Sequence, residues 1–260
     1  PYLKFVGKFS FDTYDWKGSE FYNLGARSDN DGGMKNWNSR YTSTEILGFA
    51  AFDHKWGKFS VNAMAGGSVY DRDTEKHTQE IASILFAGFQ NISNSSEYPT
   101  ATQALSQKRI NSVFGSASFG WDNWLFMDIT ARNDWSSTLP ADNRSYFYPS
   151  VSASLVLDRL FKFSENLPWF TFLKLRGSWA NVGKDTDPYA ISYNYTSTSF
   201  PGSYRPAATM PDEALSPENV ETWEVGIEAK FLENRIGFDV ALYQSDITDQ
   251  IYDVPYDYMT

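Results

Sequence analysis

Apolar residues recur at every second position in segment after segment of this chain, a period that belongs to extended strands with two unlike faces. From Leu3 one parity reads Leu3, Phe5, Gly7, Phe9, Phe11 and the other Lys4, Val6, Lys8, Ser10, Asp12. From Phe59 the apolar parity is Phe59, Val61, Ala63, Ala65, Gly67, Val69, against Ser60, Asn62, Met64, Gly66, Ser68. Later segments repeat the pattern around Leu125–Arg132, Leu173–Trp179, Thr222–Phe231 and Ile236–Ser245, with weaker forms over Val113–Trp121 and Pro149–Leu157. In each of these segments the charges fall on one parity only. A half-buried soluble sheet alternates in the same way, so alternation alone leaves the environment of the apolar face open. Arg40 to Asp53 is apolar on both parities, and its faces stay unassigned.

Connection lengths separate the two environments. Counting roughly nine strands, the links alternate between long (about 15–39, 71–108, 134–146 and 182–220) and short (about 54–58, 122–124, 158–169 and 232–235). Short periplasmic turns alternating with long extracellular loops are a property of outer-membrane barrels, whereas sandwiches and propellers impose no such asymmetry. The fold class expected is therefore all-β, a transmembrane antiparallel β-barrel of which about nine strands are present. With the short turns periplasmic, the first and ninth strands run outward. An odd number of strands cannot close with every neighbour antiparallel, so the remaining strands are expected outside these residues.

Composition agrees. Aromatic residues make up 17% of the 260 positions, with 16 Tyr, 20 Phe and 9 Trp. Barrels need such rings at both membrane boundaries. Trp56, Trp121, Trp124, Trp169 and Phe231 fall at short-turn ends; Tyr70, Tyr146, Phe147, Tyr148, Trp179 and Trp223 fall at long-loop ends. A net charge of −10 argues against a nucleic-acid partner. No run approaches the roughly 20 apolar residues of a membrane helix, and no signal peptide opens the sequence. Pro1-Tyr2-Leu3-Lys4 starts inside a strand pattern and Tyr258-Met259-Thr260 stops inside a polar segment, as an interior piece of a longer barrel would.

Nothing in the sequence assembles a catalytic centre. Cysteine is absent, and the two histidines, His54 in a short turn and His77 in a long link, have no motif around them. No enzyme activity and no cofactor are expected. Ser28-Asp29-Asn30-Asp31-Gly32-Gly33 lacks the spacing of a calcium loop, and Asp185 and Asp187 read as solvated turn acids. Trp16, Trp37, Trp135, Tyr193 and Tyr195 sit in or beside long links, where exposed rings stack on sugars or pack against neighbouring loops. Lys174, Arg176, Glu224, Glu228 and Asp239 lie on the lumen parity and line water or bond across strands.

The order and spacing of several short motifs resemble the SusC/RagA-like TonB-dependent transporters, strongly over about 108–254 and more weakly over 1–107. Ser112-Val113-Phe114-Gly115 through Trp121-Asp122-Asn123-Trp124 leads to Ile129-Thr130-Ala131-Arg132-Asn133-Asp134-Trp135-Ser136-Ser137, which carries the family's R-x-D-x-S-S run. The return strand opens Tyr148-Pro149-Ser150-Val151-Ser152. Lys174-Leu175-Arg176-Gly177-Ser178-Trp179-Ala180-Asn181-Val182-Gly183 follows. Then come Leu215-Ser216-Pro217-Glu218 with Trp223-Glu224-Val225-Gly226, and the strand Phe238–Tyr243 with its polar continuation to Ile251. Trp135 stands where the family commonly has glycine.

The resemblance implies a barrel of about 22 strands with an N-terminal plug in its lumen. Residues 1–260 would all belong to a single TonB-dependent receptor-type barrel domain in a Gram-negative outer membrane, in contact with outer-membrane lipid. It further implies a SusD-like surface lipoprotein as lid, a glycan or peptide substrate, and energy delivered by TonB to a segment absent from this sequence. Substrate or lid contacts are expected at Trp135, Arg132, Asp134, Trp37, Tyr193 and Tyr195. Two other readings stand beside import: a SusC-like barrel serving as a non-transporting scaffold in an assembly or secretion complex, and a soluble carbohydrate-binding sandwich.

Overall fold

The computed structural model describes residues 2–27, 30–161, 167, 169–192, 195–197, 202–206 and 211–252. Nine strands follow one another in chain order as a single antiparallel meander. They are β1 (Leu3–Tyr22), β2 (Gly33–Trp56), β3 (Phe59–Ile81), β4 (Thr100–Trp121), β5 (Leu125–Ser136), β6 (Ser145–Val156), β7 (Phe170–Lys184), β10 (Glu218–Phe231) and β11 (Ile236–Thr248). A short helix, α1 (Leu157–Phe161), follows β6, and β8 (Tyr195–Ser197) pairs with β9 (Tyr204–Pro206) inside the link from β7 to β10. The described residues fall into two compact units, those within 1–8, 46–69 and 110–252 in the first and those within 9–45 and 70–109 in the second.

In the first unit the register turns alternation into two continuous faces, because residues paired across neighbouring strands share a side. Trp121 faces Leu125, Leu125 faces Leu155, Leu155 faces Leu175, Leu175 faces Ile227, and Ile227 faces Val240, one apolar row across six strands. On the other side Ser118 faces Asp128, and the row continues through Ser152, Ser178, Glu224 and Tyr243. The apolar side has no cover. Among the described residues the buried hydrophobics are Ile81, Ile84 and Leu139, while Ile227 is 44% and Val240 54% exposed. A water-soluble sandwich would bury that face.

Positive φ angles close the short turns. Gly57 (φ 58°) makes a two-residue turn with Lys58, and Asp122 (46°) and Asn123 (59°) adopt the left-handed conformation that tight hairpins require. Lys58 reaches across to Asp122 at 2.5 Å and ties these two turns together. The fourth turn is less orthodox: Leu232 (51°), Glu233 (58°) and Asn234 (67°) are all left-handed, and the Leu232 amide bonds to Trp169 O at 2.8 Å.

The faces of β2, unreadable in the sequence, are settled by its neighbours. Ile46 and Gly48 border a trough with Gly67, Val69 and Val113, on the apolar side. Asp53 accepts a 3.0 Å bond from Asn62, on the polar side. Leu47, Phe49 and Ala51 share the parity of Asp53. Phe49 is apolar there because it lies against Gly66, where an added Cβ would overlap its atoms and the Gly48 carbonyl.

The second unit corrects the expected long links. β1 runs to Tyr22 and β2 starts at Gly33; β3 runs to Ile81 and β4 starts at Thr100. Polar cross-strand pairs sustain these ladders: Arg40–Asp15 (3.0 Å), Gln107–Asp73 (2.8 Å), Gln103–Glu75 (2.7 Å), Lys35–Glu80 (3.3 Å) and the bidentate Arg109–Asp71. With both faces polar, hydrophobic period 2 fades although the strands persist. Asn94, 2% exposed, organises the following loop by accepting from the Leu85 and Phe86 amides and donating to the Phe86 and Phe89 carbonyls.

Candidate functional site

Strand geometry puts Arg132 and Asp134, two residues apart, on the same face of β5. Arg132 Nε donates to Asp134 Oδ1 at 2.8 Å and its Nη2 to Ser112 Oγ at 2.8 Å, while its guanidinium lies 5.9 Å from the Phe114 ring centre. The Tyr148 hydroxyl also donates to Asp134, which is only 5% exposed. A second cluster follows along the same parity. Ser136 and Thr138, each 1% exposed, donate to Asp185 Oδ2 at 2.5 and 3.1 Å. Asp185 is thus no solvated turn acid: it fastens the start of the β5–β6 loop to the end of β7. The R-x-D-x-S spacing carried the signal for the first partners, but no local pattern pointed to Asp185.

Nearer the short turns the polar face is a string of pairs. Thr130 meets Ser150 at 2.6 Å and Ser152 donates to Asp128 at 3.2 Å. Arg176 lies between Glu224 (3.3 Å) and Asp239 (2.8 Å). A groove of about 480 Å³ opens along this face between Asn62, Ser118, Asp128, Ser154 and Lys174. Of the lumen-parity charges singled out in the sequence, Arg176, Glu224 and Asp239 meet across strands, while Glu228 pairs with Lys230 on its own strand at 2.9 Å.

Trp135 goes to the other side. It pairs with Asn111 and Ser145 and shares the parity of Leu125, Met127, Ile129 and Ala131, opposite Arg132 and Asp134. Its indole borders the apolar trough with Val69 and Val113. The expected aromatic belts also sort by parity. Phe147, Trp179 and Trp223 are on the apolar side, whereas Tyr146 and Tyr148 face the polar pairs. At the far end of the strands from the short turns, Trp179 donates its indole N–H to Glu221 at 2.8 Å. At the turn end, Trp56 and Phe59 stack at 6.2 Å, as do Trp169 and Phe231 at 6.0 Å.

In the second unit Trp16 and Trp37 lie on β1 and β2 rather than in loops, with ring centres 6.2 Å apart. Two residues along, Tyr14 stacks on Tyr41 at 4.8 Å, and the Tyr41 hydroxyl meets that of Tyr70 at 3.1 Å. These two hydroxyls lie beyond the apolar stretches of their strands. Burial pushes Tyr70 up to about 12, while the hydrogen bond from Tyr70 lowers Tyr41. Tyr14 and Tyr41 were not singled out in the sequence, and Tyr70 only as a ring at a long-loop end, although all three share one face with the two tryptophans. Tyr195 is 68% exposed on β8; Tyr193 lies outside the described residues. Among the described residues His77 pairs with Glu75 at 2.9 Å, and His54 lies among the rings of Tyr2, Phe52 and Trp56.

Along β3 the apolar parity runs from Phe59 to Val69 and then becomes Asp71, Asp73, Glu75. That stretch has the length, about 9–11 residues, that a tilted strand needs to cross a bilayer. An antiparallel meander with one bare apolar face, one ion-paired face and rings at the limits of the apolar belt is the wall of a transmembrane β-barrel.

The chain belongs to the TonB-dependent receptor-like β-barrel family, whose model matches residues 2–260. Barrels of this family lie in the Gram-negative outer membrane, and its members are receptors and transporters rather than enzymes. The chain is 27% identical to TonB-dependent receptor P26 of Formosa agariphila over 89% of its own length and 23% of that protein's. It is 29% identical to TonB-dependent receptor SusC of Bacteroides thetaiotaomicron over 48% of its own length and 13% of that protein's. It thus spans less than a quarter of the length of these relatives. The RagAB peptide transporter structure superposes on 99% of the chain and 29% of its own (TM-score 0.82, 20% identity). The closed-closed state of the RagAB importer gives a TM-score of 0.83. The expected all-β barrel and its SusC/RagA kinship are borne out.

Proposed function

We propose that the whole protein imports a large nutrient, an oligosaccharide or peptide, across the outer membrane, with TonB supplying the energy. Residues 1–260 form part of its one barrel domain; the plug and the TonB-contacting segment belong to the chain outside them. A SusD-like lipoprotein closes the mouth from outside, as kinship with SusC and the fold of RagAB suggest. The observation that carries this reading is the polar face. Its charges are matched by neighbours, across strands for Arg176 between Glu224 and Asp239 and along a strand for Arg132 with Asp134, and the face continues over at least six strands. A barrel of the roughly 22 strands that the kinship implies encloses a lumen large enough to hold a plug domain. Arg132 and Asp134 sit on that face as positioning residues that hold Tyr148 and Ser112, and through them the shape of the wall near the mouth.

Cells expressing the full-length protein with its neighbouring lipoprotein test this directly. Accumulation of a nutrient larger than the porin limit, abolished by a protonophore and by loss of TonB, is the expected result. A strain lacking the protein that loses no uptake, but fails to assemble or secrete a surface complex, would replace import with a scaffold role.

A further inference from the structure

The second unit carries a cluster of rings that the wall does not need. Trp16 (62% exposed) and Tyr14 (59% exposed) stand two residues apart on β1, about 7 Å along the strand. Trp37 and Tyr41 back them from β2, and Tyr70 extends the group onto β3 through its hydroxyl. The cluster is built, not incidental. The Trp37 indole lies over Gly18, where a Cβ would overlap it, so the strand leaves out a side chain to make room for the ring. Tyr14 and Tyr41 are nearly parallel, 16° apart, which leaves the other Tyr14 face open. Lipid contact does not explain these rings, because on the opposite parity Arg40 pairs with Asp15 where a bilayer would require apolar groups.

We infer that Tyr14 and Trp16, backed by Tyr41 and Trp37, form a stacking platform for the rings of an uncharged oligosaccharide. The reading rests on the import function proposed above and selects the glycan from its two substrate classes. Two exposed ring faces spaced along a strand suit successive sugar units, each offering an apolar C–H face to a ring and hydroxyls to its edges. Polar groups for those hydroxyls stand beside the rings: the Tyr41 and Tyr70 phenols form one hydrogen-bonded pair. A charged ligand finds no matching cluster of one sign among these five rings.

The test uses the full-length protein with its lipoprotein, purified in detergent. It is titrated with neutral α-glucan, β-glucan, mannan, xylan and fructan oligomers and with a tryptic casein digest, followed by calorimetry and tryptophan fluorescence. At least one oligomer is expected to bind and shift the fluorescence. Tyr14→Ala/Trp16→Ala weakens that binding about tenfold or more, whereas Trp16→Phe retains most of it. Unchanged heat-modifiability on a gel shows that the variants fold. Saccharide binding that is unaffected by the double variant overturns the platform, and so does binding of the casein peptides alone or of no oligomer. Saccharide binding lost in the variant, in a protein whose uptake ignores the proton gradient, keeps the platform and overturns import.

Discussion

Asp185, just past the end of β7, accepts a 2.5 Å hydrogen bond from Ser136, the last residue of β5, across 49 positions of chain. Thr138 donates to the same oxygen, and both hydroxyls are almost wholly buried. Asp185→Ala removes the charged acceptor and leaves the two hydroxyls with each other and the Thr138 amide. A loss of about 1.5–3 kcal/mol in local stability follows. It should appear as faster proteolysis within residues 137–144, with the heat-modifiability of the barrel retained. Asp185→Asn, which can still accept, should be milder.

That residue also shows where sequence reading stops. β5, β7, β10 and β11 were legible because each sets a bare apolar parity against a charged one, and Arg132 and Asp134 announced a shared face by their spacing. Asp185 was not legible, because its partners are distant in sequence and nothing local marks a turn acid as bonded. The distal halves of β1–β4 escaped for another reason. They are held by pairs such as Arg109–Asp71, and a ladder polar on both sides has no hydrophobic period. Trp135 was placed at the mouth from its position in the motif, whereas one step of parity moves a side chain to the opposite face.

Placement on the apolar parity makes Trp135 an anchor for the wall rather than a contact for substrate or lid. Trp135→Gly should leave uptake and lipoprotein association near wild type and lower the unfolding temperature in lipid. Uptake reduced severalfold with unchanged stability would return Trp135 to the mouth.

Ala63 and Asn62 are neighbours in sequence on opposite faces of β3. Arg at Ala63 enters the apolar belt between Val61 and Ala65 and should destabilise the folded barrel by about 2–4 kcal/mol near the bilayer midplane. Arg at Asn62 enters the groove beside Asp53 and Asp128, where carboxylates receive it, and should cost less than about 1 kcal/mol. Refolding into liposomes across a urea series measures both.

Orientation follows from the turns. Cysteine at Glu97, in the loop between β3 and β4, should react with an impermeant maleimide on intact cells. Cysteine at Arg235, in the short turn between β10 and β11, should react only after the outer membrane is opened. The reverse pattern would turn the barrel over.

The claim beneath all of these is that one parity of each strand meets lipid, and that on β3 this ends between Val69 and Asp71. A nitroxide scan of the full-length protein in liposomes, one label at a time from Ser60 to Asp73, tests it most directly. Collisions with oxygen should peak at Val61, Ala63, Ala65, Gly67 and Val69. Collisions with a water-soluble nickel reagent should peak at the alternate positions and dominate at Asp71 and Asp73. Oxygen maxima on the Asn62 parity, or no alternation at all between Ser60 and Val69, would contradict the account.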